Sequence, residues 1–261
     1  MAEKPLSNIT LWITRPRGQA DQLSDMLKSK GAEVLHLPMI QIEQIQPDKK
    51  MKSVVKKLKD YDMVFFISTN AAHLAMELLE TELSKYPDKP TYFAPGPSTA
   101  KVIEAYGLKA VYPKKAMSTE ALLILPEIRK ILEKKSLKKK RALIFRGKGG
   151  RELLANSLRG KGVEVTYIEL YKRTLPSFSE HYLQEIINRR KPDGIVFSSA
   201  EALHNFISLF DGIYQDYRKI PIFVSSERLQ SLAAKLGFET INLLRAADDD
   251  SVVTGVEKAH G

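Results

Sequence analysis

Hydrophobic residues follow two patterns that alternate along the chain. Short, uninterrupted apolar runs such as Met63–Ile67 and Gly194–Phe197 are typical of strands in a parallel sheet that is buried on both faces. Between such runs, apolar residues recur at helical spacing, and a helix is predicted through Leu122 to Leu132. Another amphipathic helix is predicted within residues 49–59 by Met51, Val54, Val55 and Leu58. Strands that alternate with helices indicate an α/β fold.

The second half of the chain resembles the first at a shift of 131 residues. The segment that begins at Leu11 aligns without a gap on the segment that begins at Ala142, and each has the order strand, turn, helix, glycine, strand. The same shift places Ser68 on Ser199. We therefore interpret the chain as two copies of one βα-alternating unit.

The charge of the chain is concentrated in two places. The 261 residues are 43% hydrophobic and 28% charged, which is an ordinary globular composition, and their formal net charge is +10. A basic balance suggests an anionic partner such as nucleic acid, a membrane surface or a polyanionic small molecule. However, Lys49–Lys59 contributes +6 and Arg129–Arg141 contributes +7, so the rest of the chain is slightly acidic. We interpret both runs as solvated faces or connectors, because neither carries the interleaved aromatic residues of a surface that stacks single-stranded bases.

The sequence contains no cysteine, which excludes disulfides, thiolate metal sites and cysteine nucleophiles. No apolar run approaches the roughly 18 residues of a membrane-spanning helix. Residues 1–8 do not have the pattern of a secretory signal. We therefore expect a cytoplasmic protein that does not contact a membrane.

Arginine and glycine follow the first strand of each copy. Arg15 comes directly after the strand in the first copy, and Arg146-Gly147 with Arg151 follows the corresponding strand in the second. Ligands of parallel sheets bind beyond the carboxyl ends of the strands, where helices begin. Arginine at such a position suits a carboxylate or a phosphate. The alternative interpretation is a glycine turn flanked by solvated arginines.

Hydroxyl and amide side chains follow other strands of both copies. They comprise Ser68, Thr69 and Asn70, then Ser98 and Thr99 after Gly96, then Ser198 and Ser199, and finally Ser226. Serine, threonine and asparagine are preferred helix N-caps, so capping is the alternative to ligand binding at each position. Capping and ligand binding are compatible at one helix start.

Signatures of several common catalytic sites are missing from the sequence. Neither a Walker loop nor a GxGxxG fingerprint occurs, and there is no G-x-S-x-G elbow. The five histidines do not have metal-ligand spacing. We interpret Asp248-Asp249-Asp250 as a loop before the last helix.

Taken together, these segments resemble those of the uroporphyrinogen-III synthases, and the resemblance covers nearly the whole chain. It is carried by the order and spacing of Ile13–Pro16 with Gln19, Phe66–Ala71, Gly96–Ala100, Arg146-Gly147 with Arg151, Glu169–Arg173 and Phe197–Ser199. The turn that contains Ser226 departs from the Gly-Pro-Thr type of turn that many relatives have at this point.

The resemblance implies a fold of two flavodoxin-like parallel-sheet domains, pseudo-duplicated and joined by a two-stranded β connection. The first α/β domain would be discontinuous, with residues 1–40 plus 174–261, and the second would comprise residues 41–173. The first βαβ segment, to about Met39, would join the sheet formed after about Thr174. The paired connectors would be Ile40–Glu43 and Leu170–Arg173.

The resemblance also implies the reaction. The substrate of this family is hydroxymethylbilane, a linear tetrapyrrole with four acetate and four propionate groups. It would be held in the interdomain cleft, lose its terminal hydroxyl as water, and close into a ring with inversion of the last pyrrole through a spiro intermediate. This chemistry uses no cofactor and no metal.

Tyr171 matches the family's motif tyrosine, so the resemblance implies that it donates a hydrogen bond or a proton to the departing hydroxyl. The alternative is a connector tyrosine that only packs. The resemblance further implies that the carboxylates of the substrate are bound by Arg15, Ser68, Thr69, Asn70, Gly96, Ser98, Thr99, Arg146, Gly147, Arg151, Ser198, Ser199 and Ser226.

Two other classes of function stay open at this point. One is a two-lobed, non-catalytic protein that binds a small anion, and the other is a nucleic-acid-binding protein that uses the two basic runs. The resemblance favours a small-molecule substrate without nucleic acid. We expect a monomer, and a transient contact with the preceding pathway enzyme is left open.

Overall fold

The computed structural model describes residues 4–114, 118–134, 138–189 and 191–260. The chain divides into two compact units, of which the first comprises Met1–Ile42 with Thr174–Gly261 and the second comprises Glu43–Arg173. Part of the second basic run, residues 135–137, lies outside the described residues. Within the described ranges, no helix has both the length and the apolar character needed to cross a bilayer.

Strands and helices alternate through both units, as the hydrophobic pattern predicts. In chain order they are β1 (Thr10–Ile13), α1 (Asp21–Ser29), β2 (Glu33–His36), β3 (Gln41–Gln44), α2 (Lys49–Lys56), β4 (Met63–Phe66), α3 (Thr69–Glu82), β5 (Thr91–Phe93), α4 (Pro97–Ala105), β6 (Ala110–Val111), α5 (Thr119–Leu123), α6 (Pro126–Glu133), β7 (Arg141–Gly147), α7 (Leu153–Arg159), β8 (Glu164–Thr174), α8 (Glu180–Asn188), β9 (Gly194–Phe197), α9 (Ala200–Leu209), β10 (Ile222–Val224), α10 (Glu227–Lys235), β11 (Ile241–Leu243) and α11 (Asp249–His260). Short 3-10 helices follow α2 and α9.

The first unit contains a parallel sheet in the order β11-β10-β9-β1-β2. Alternate side chains of a strand point to opposite faces, and the sheet therefore has a core on each side. Trp12 of β1 packs among aromatic residues on one face, including Phe206 and Phe210. Its neighbours Leu11 and Ile13 pack into the core on the other face.

The second unit contains a sheet in the order β3-β8-β7-β4-β5-β6, in which β8 to β6 pair in parallel. Val64 and Phe66 of β4 face one core, while Met63 and Phe65 face the other. The uninterrupted apolar run of β4 is therefore explained by burial on both faces.

The two connector strands predicted from the family resemblance are neighbours in the second sheet. β3 lies beside the distal half of β8, where the Ile45 N–H donates to the Leu170 carbonyl at 2.8 Å. Lys172 and Glu43 form an ion pair across the two strands at 2.7 Å. The chain passes between the units in β3 and again at the end of β8, so these strands form the covalent connection.

The sequence repeat is also a repeat of structure. A shift of 131 residues maps β4 onto β9 and β5 onto β10 with identical bounds. It also relates the turns after β1 and β7, where Gly18 and Gly149 have φ of 74° and 71°. Backbone in this left-handed region favours glycine, and both copies therefore keep glycine at the turn.

Each sheet contains strands from both copies of the repeat. β1, from the first copy, pairs with β9 from the second, and β7, from the second copy, pairs with β4 from the first. An aspartate fixes the start of each pair. Asp193 Oδ2 accepts the Thr10 N–H at 2.8 Å, and Asp62 Oδ2 accepts the Arg141 N–H at 2.9 Å. The two aspartates are equivalent in the repeat, as are their two donors.

The amphipathic helix predicted within residues 49–59 is present as α2, followed by a 3-10 turn over Leu58–Asp60. Val55 and Leu58 are buried in the core of the second unit. Lys52 and Lys56 form ion pairs with Glu82 of α3. This part of the basic run is therefore a helix face, as expected.

The prediction of one helix through Leu122 to Leu132 is wrong. α5 ends at Leu123, and α6 begins at Pro126, which occupies the first turn of the new helix. Proline has no N–H to continue the ladder of α5, and its ring clashes with the preceding turn, whereas it is tolerated at the start of a helix.

Replacing Asp62 with alanine is expected to destabilise the protein, because the Arg141 N–H at the start of β7 loses its acceptor. The expected loss is about 1–2 kcal/mol in the free energy of unfolding, the usual cost of an unpaired donor that is partly buried. Urea unfolding followed by circular dichroism measures it. Asp60→Ala is the control, since Asp60 is exposed and its loss should cost less than about 0.5 kcal/mol. Equal midpoints for the two variants would contradict this assignment.

Candidate functional site

A cavity of about 310 Å³ lies at the carboxyl edge of the sheet in the second unit. Ile67 follows β4, Pro95 follows β5 and Arg146 lies near the end of β7, and all three line it. This edge is where α/β sheets bind ligands, because strand ends and helix starts meet there. The lining also includes Gly147, Gly149, Gly150, Arg151, Tyr167, Tyr171 and Arg173.

Tyr171 forms one wall of the cavity and is 1% exposed. A β-bulge between Arg146 and Gly147 sets the local register of β7 and β8, and the Lys148 N–H donates to the Tyr171 carbonyl at 2.6 Å. Gly147 lies against the tyrosine ring. A Cβ at this position would be 2.6 Å from ring atoms Cε2 and Cζ of Tyr171. The absence of a side chain at Gly147 is therefore what admits the ring.

The Tyr171 hydroxyl contacts Ser68, which comes two residues after the end of β4. The two hydroxyl oxygens are 3.0 Å apart, and either one can be the donor. Ser68 Oγ also accepts the Ala71 N–H at 3.1 Å and thereby caps α3. Ser68 is therefore an N-cap, and it is also a partner of the tyrosine that the sequence analysis placed in the catalytic role.

The starts of α3 and α4 lie close together. Thr69 Oγ1 and Thr99 Oγ1 are 3.5 Å apart, and Thr99 is 4% exposed. Gly96 precedes α4 and has no side chain to cap it, and Pro97 in the first turn has no N–H. The remaining N–H groups of this turn, including that of Ser98, are therefore available to an anionic group. Asn70 lies in the first turn of α3, half-buried.

Arg146 is buried, and its guanidinium is bonded within the second unit. Nη1 donates to Glu152 Oε1 at 2.6 Å, Nη2 donates to the Gly149 carbonyl at 2.5 Å, and the group lies 4.7 Å from the centre of the Tyr167 ring. It therefore shapes the loop after β7 from inside.

Glu152 joins this network from the other side. The Tyr167 hydroxyl donates to Glu152 Oε2 at 2.5 Å. This hydrogen bond and the one from Arg146 hold the pKa of the Glu152 carboxyl below its usual range. Burial, followed by the bond to Glu152, raises the pKa of the Tyr167 hydroxyl. The pair therefore consists of a carboxylate and a protonated tyrosine near neutral pH.

Arg151 is the exposed cation of the predicted set in this unit. Its Nη2 donates to Glu120 Oε1 at 2.5 Å, and both side chains are more than half exposed. The pKa of Glu120 is lowered, first by a hydrogen bond from its own backbone N–H and then by Arg151. An exposed ion pair of this kind is weak, so a ligand carboxylate can replace Glu120 at little cost.

In the first unit, Arg15 is tied to the last helix. Its guanidinium forms an ion pair with Asp249 in the first turn of α11 and donates to the Ala247 carbonyl at 2.8 Å. Asp248 caps this helix through the Ser251 N–H. The interpretation of Asp248–Asp250 as a loop is therefore wrong for Asp249 and Asp250, because the cap at Asp248 starts the helix there.

The predicted serines of the first unit also lie at helix starts. Ser199 Oγ accepts the Ala202 N–H at 3.1 Å and caps α9, while Ser226 Oγ accepts the Leu229 N–H at 3.3 Å and caps α10. Ser198 is half-buried beside Ser199. Of the predicted residues, the structure therefore brings Arg146, Gly147, Arg151 and Tyr171 together at the cavity, joins Ser68 to Tyr171, and joins Thr69 to Thr99. It places Asn70, Gly96 and Ser98 at helix starts of the same unit, and Arg15, Ser198, Ser199 and Ser226 at strand ends or helix starts of the first unit.

Three residues at the cavity were missed by the sequence analysis. Tyr167 and Arg173 line it, and Glu152 binds Tyr167 and Arg146. The Arg173 guanidinium is 5.9 Å from the centre of the Tyr171 ring. The sequence could have indicated Arg173, because it lies in the same connector segment as Tyr171. For Glu152 there was none, because its role follows from the burial of Arg146.

Comparisons of the sequence and of the structure with known proteins point to one protein family. The family model described as uroporphyrinogen-III synthase HemD matches residues 21–253. The uroporphyrinogen-III synthase of Escherichia coli K12 is 31% identical over 252 residues, which cover 95% of this chain and 100% of that protein. The enzyme of the same name from Salmonella typhimurium LT2 is 31% identical over 256 residues with the same coverage.

Solved structures agree at the level of the fold. A crystal structure of a mutant uroporphyrinogen III synthase from the extremely thermophilic bacterium Thermus thermophilus has a TM-score of 0.61 at 16% identity, covering 96% of this chain and 98% of that one. The uroporphyrinogen-III synthetase of Helicobacter pylori 26695 has a TM-score of 0.60 at 15% identity, with the same coverage. With the family model matched over most of its length, this chain belongs to the uroporphyrinogen-III synthase family.

Proposed function

We propose that the protein is a uroporphyrinogen-III synthase that converts hydroxymethylbilane into the cyclic type III product without a cofactor. The observation that carries the proposal is the position of Tyr171. This residue matches the family's motif tyrosine, lines the cavity of the second unit, and has its hydroxyl bonded at the start of α3. The whole-length match to curated synthases supports the same reaction.

In this proposal, Tyr171 acts as the acid of the dehydration step. The bond between the terminal methylene carbon and its hydroxyl oxygen breaks, and the oxygen leaves as water with the proton of Tyr171. The electron-rich pyrroles of the substrate stabilise the resulting azafulvenium cation, whose charge balances that of the tyrosinate. Attack by a substituted pyrrole carbon gives the spiro intermediate, and rearrangement inverts the last ring. The proton finally lost from a pyrrole carbon restores Tyr171, so the reaction releases one water and the tyrosine is unchanged.

The cavity suits one end of the substrate rather than the whole tetrapyrrole. Its volume of about 310 Å³ is at the lower limit of small-molecule sites. Tyr171 is 1% exposed, so the wall around it must open when the hydroxymethyl end binds. Enclosure of the reacting carbon would then exclude bulk water, which otherwise adds to the azafulvenium cation.

The carboxylates of the substrate require many donors. We assign Arg151, Asn70, Thr69, Ser98 and Thr99 of the second unit, with the N–H groups at the starts of α3 and α4, to this binding. We assign the same role, binding of substrate carboxylates, to four residues of the first unit, namely Arg15, Ser198, Ser199 and Ser226. Because Arg146 is already bonded to Glu152 and Gly149, its contribution is to shape the loop and to supply positive potential.

The remaining expectations concern the state of the protein. We propose that it acts in the cytoplasm as a monomer, on a substrate that the preceding pathway enzyme releases. Size-exclusion chromatography with light scattering, in the presence and absence of that enzyme, measures the oligomeric state and any complex.

The function is tested by supplying enzymatically generated hydroxymethylbilane, oxidising the products and separating the uroporphyrin isomers. The proposal expects mainly the type III isomer, because spontaneous closure gives type I. Binding of the bilane with only type I product would contradict the proposal and favour an anion-binding protein.

Replacing Tyr171 with phenylalanine is expected to lower kcat for the type III isomer by about 10²- to 10⁴-fold, the usual contribution of a general acid. Binding should change little, because the ring that packs on Gly147 is retained. Tyr106→Phe is the control, since Tyr106 belongs to the same unit and is not among the residues that line the cavity. Equal kcat for the two variants would remove Tyr171 from the mechanism.

Replacing Gly147 with alanine is expected to lower kcat by about 10²-fold, because the new Cβ must displace the tyrosine ring by a substantial fraction of an ångström. Gly107→Ala is the matched control. Gly107 has a φ of 80° and nothing within 4 Å, so that variant strains the backbone without touching Tyr171. The account predicts loss of activity in the first and only loss of stability in the second. An active Gly147→Ala enzyme would contradict it.

A further inference from the structure

We propose that Ser68 is a positioning residue for the dehydration step. Ser68 donates its hydroxyl proton to Tyr171 Oη, and the proton of Tyr171 is thereby left for the departing hydroxyl of the substrate. The inference rests on the proposed function and adds to it the direction of one hydrogen bond. That direction decides whether the tyrosine can act as an acid.

The bond between the two hydroxyls has two possible directions, since each carries one proton. If Tyr171 donates to Ser68, its proton is held in that hydrogen bond and is not directed at the substrate, so the tyrosine cannot protonate it. If Ser68 donates, the Tyr171 proton is free to point into the cavity. The 3.0 Å separation of the oxygens fits both directions, so the surroundings must decide.

The start of α3 favours donation by Ser68. Ser68 Oγ already accepts the Ala71 N–H at 3.1 Å. Donation to Tyr171 continues this chain, from Ala71 N–H to Ser68 and from Ser68 O–H to Tyr171 Oη. Hydrogen bonds in such a chain polarise one another. The opposite direction would give Ser68 Oγ two donors and require another acceptor for its own proton.

The same chain stabilises the charge that forms during the reaction. When Tyr171 gives up its proton, negative charge develops on Oη, 3.0 Å from the Ser68 oxygen. Ser68 caps the fourteen-residue helix α3, whose N-terminus carries a partial positive charge. A preorganised donor aimed at developing charge is an efficient form of transition-state stabilisation. The position of Tyr171 is fixed by Gly147 against its ring and by the Lys148 N–H on its carbonyl.

The repeat provides an internal comparison. Ser199 is equivalent to Ser68 and caps α9 with the same 3.1 Å distance to its backbone donor, Ala202. The residue equivalent to Tyr171 is Ile40, which has no hydroxyl. Capping is therefore common to both serines, whereas the bond to a tyrosine belongs to Ser68. A loss of kcat that acts through the tyrosine is therefore expected for substitutions of Ser68 and not for substitutions of Ser199.

Four substitutions of Ser68 separate donation from capping. Thr and Asn can cap α3 and also donate to Tyr171. Asp can cap α3, but its carboxylate can only accept hydrogen bonds, so the Tyr171 hydroxyl would have to donate its hydrogen bond to Asp. Ala does neither. We expect kcat for the type III isomer to stay within about threefold of wild type for Ser68→Thr and Ser68→Asn, since one hydrogen bond is retained, and to fall about tenfold for Ser68→Ala. For Ser68→Asp we expect a fall of about 10²-fold, although its helix is capped.

Two controls separate this role from stability and charge. Ser179→Ala removes the N-cap of α8, where Ser179 Oγ accepts the Tyr182 N–H at 3.2 Å, and should cost stability without lowering kcat. Ser199→Asp introduces the same charge as Ser68→Asp in a site that binds an anionic substrate. It is expected to raise KM without the loss of kcat seen for Ser68→Asp.

A double substitution tests the coupling directly. In the Tyr171→Phe background, Ser68→Ala should lower kcat no further, because the serine acts only through the tyrosine. Equal kcat for Ser68→Asp and Ser68→Asn, or losses that multiply in the double variant, would overturn the inference. These outcomes are distinct from failure of the proposed function, in which the wild-type protein yields only the type I isomer.

Discussion

The pairing of β7 with β4 is the interaction on which the site depends. β4 comes from the first copy of the repeat and ends shortly before Ser68, whereas β7 comes from the second copy and is followed by the strand that carries Tyr171. Parallel pairing aligns the carboxyl ends of these strands, and the hydroxyls of two residues 103 positions apart therefore meet at one edge. The aspartate Asp62 fixes the first hydrogen bond of the pair. Without the exchange between copies, Tyr171 would belong to a different sheet from the helix start that holds it.

Arg146 and Arg151 of the second unit differ in burial, and the roles that we propose for them differ accordingly. The Arg146 guanidinium already binds Glu152, a carbonyl of the following loop and the face of the Tyr167 ring. We therefore assign it to the shape of the cavity wall. Arg151 stands in solvent with a weak partner and can exchange it for a ligand carboxylate. A flexible polycarboxylate must also be released as product. Exchangeable cations and backbone N–H groups allow this release more readily than rigid, desolvated cations would.

The strands and most helices could be predicted from the sequence because burial on both sheet faces leaves uninterrupted apolar runs, as in β4 and β9. Pro126 was a local signal that the helix through Leu122 had to end, and the apolar periodicity obscured it. The exchange of βαβ segments followed only from the resemblance, since periodicity does not encode which strands pair. The contact between Ser68 and Tyr171 could not be predicted, because it depends on the β-bulge at Gly147 and on the absence of a side chain there. The burial of Arg146 could not be predicted either, because its partners Glu152, Gly149 and Tyr167 meet it only in the folded loop after β7.

The central claim is that Tyr171, held by Ser68 and Gly147, promotes the loss of water from the bilane. A single-turnover experiment with enzyme in excess tests it most directly, by following the disappearance of hydroxymethylbilane in quenched samples of wild type and Tyr171→Phe. The account predicts that substrate decay itself slows by about 10²-fold or more in the variant, because breaking of the carbon–oxygen bond precedes every later step. Unchanged decay of the bilane, with only the isomer ratio of the product altered, would contradict the account and assign Tyr171 to ring inversion instead.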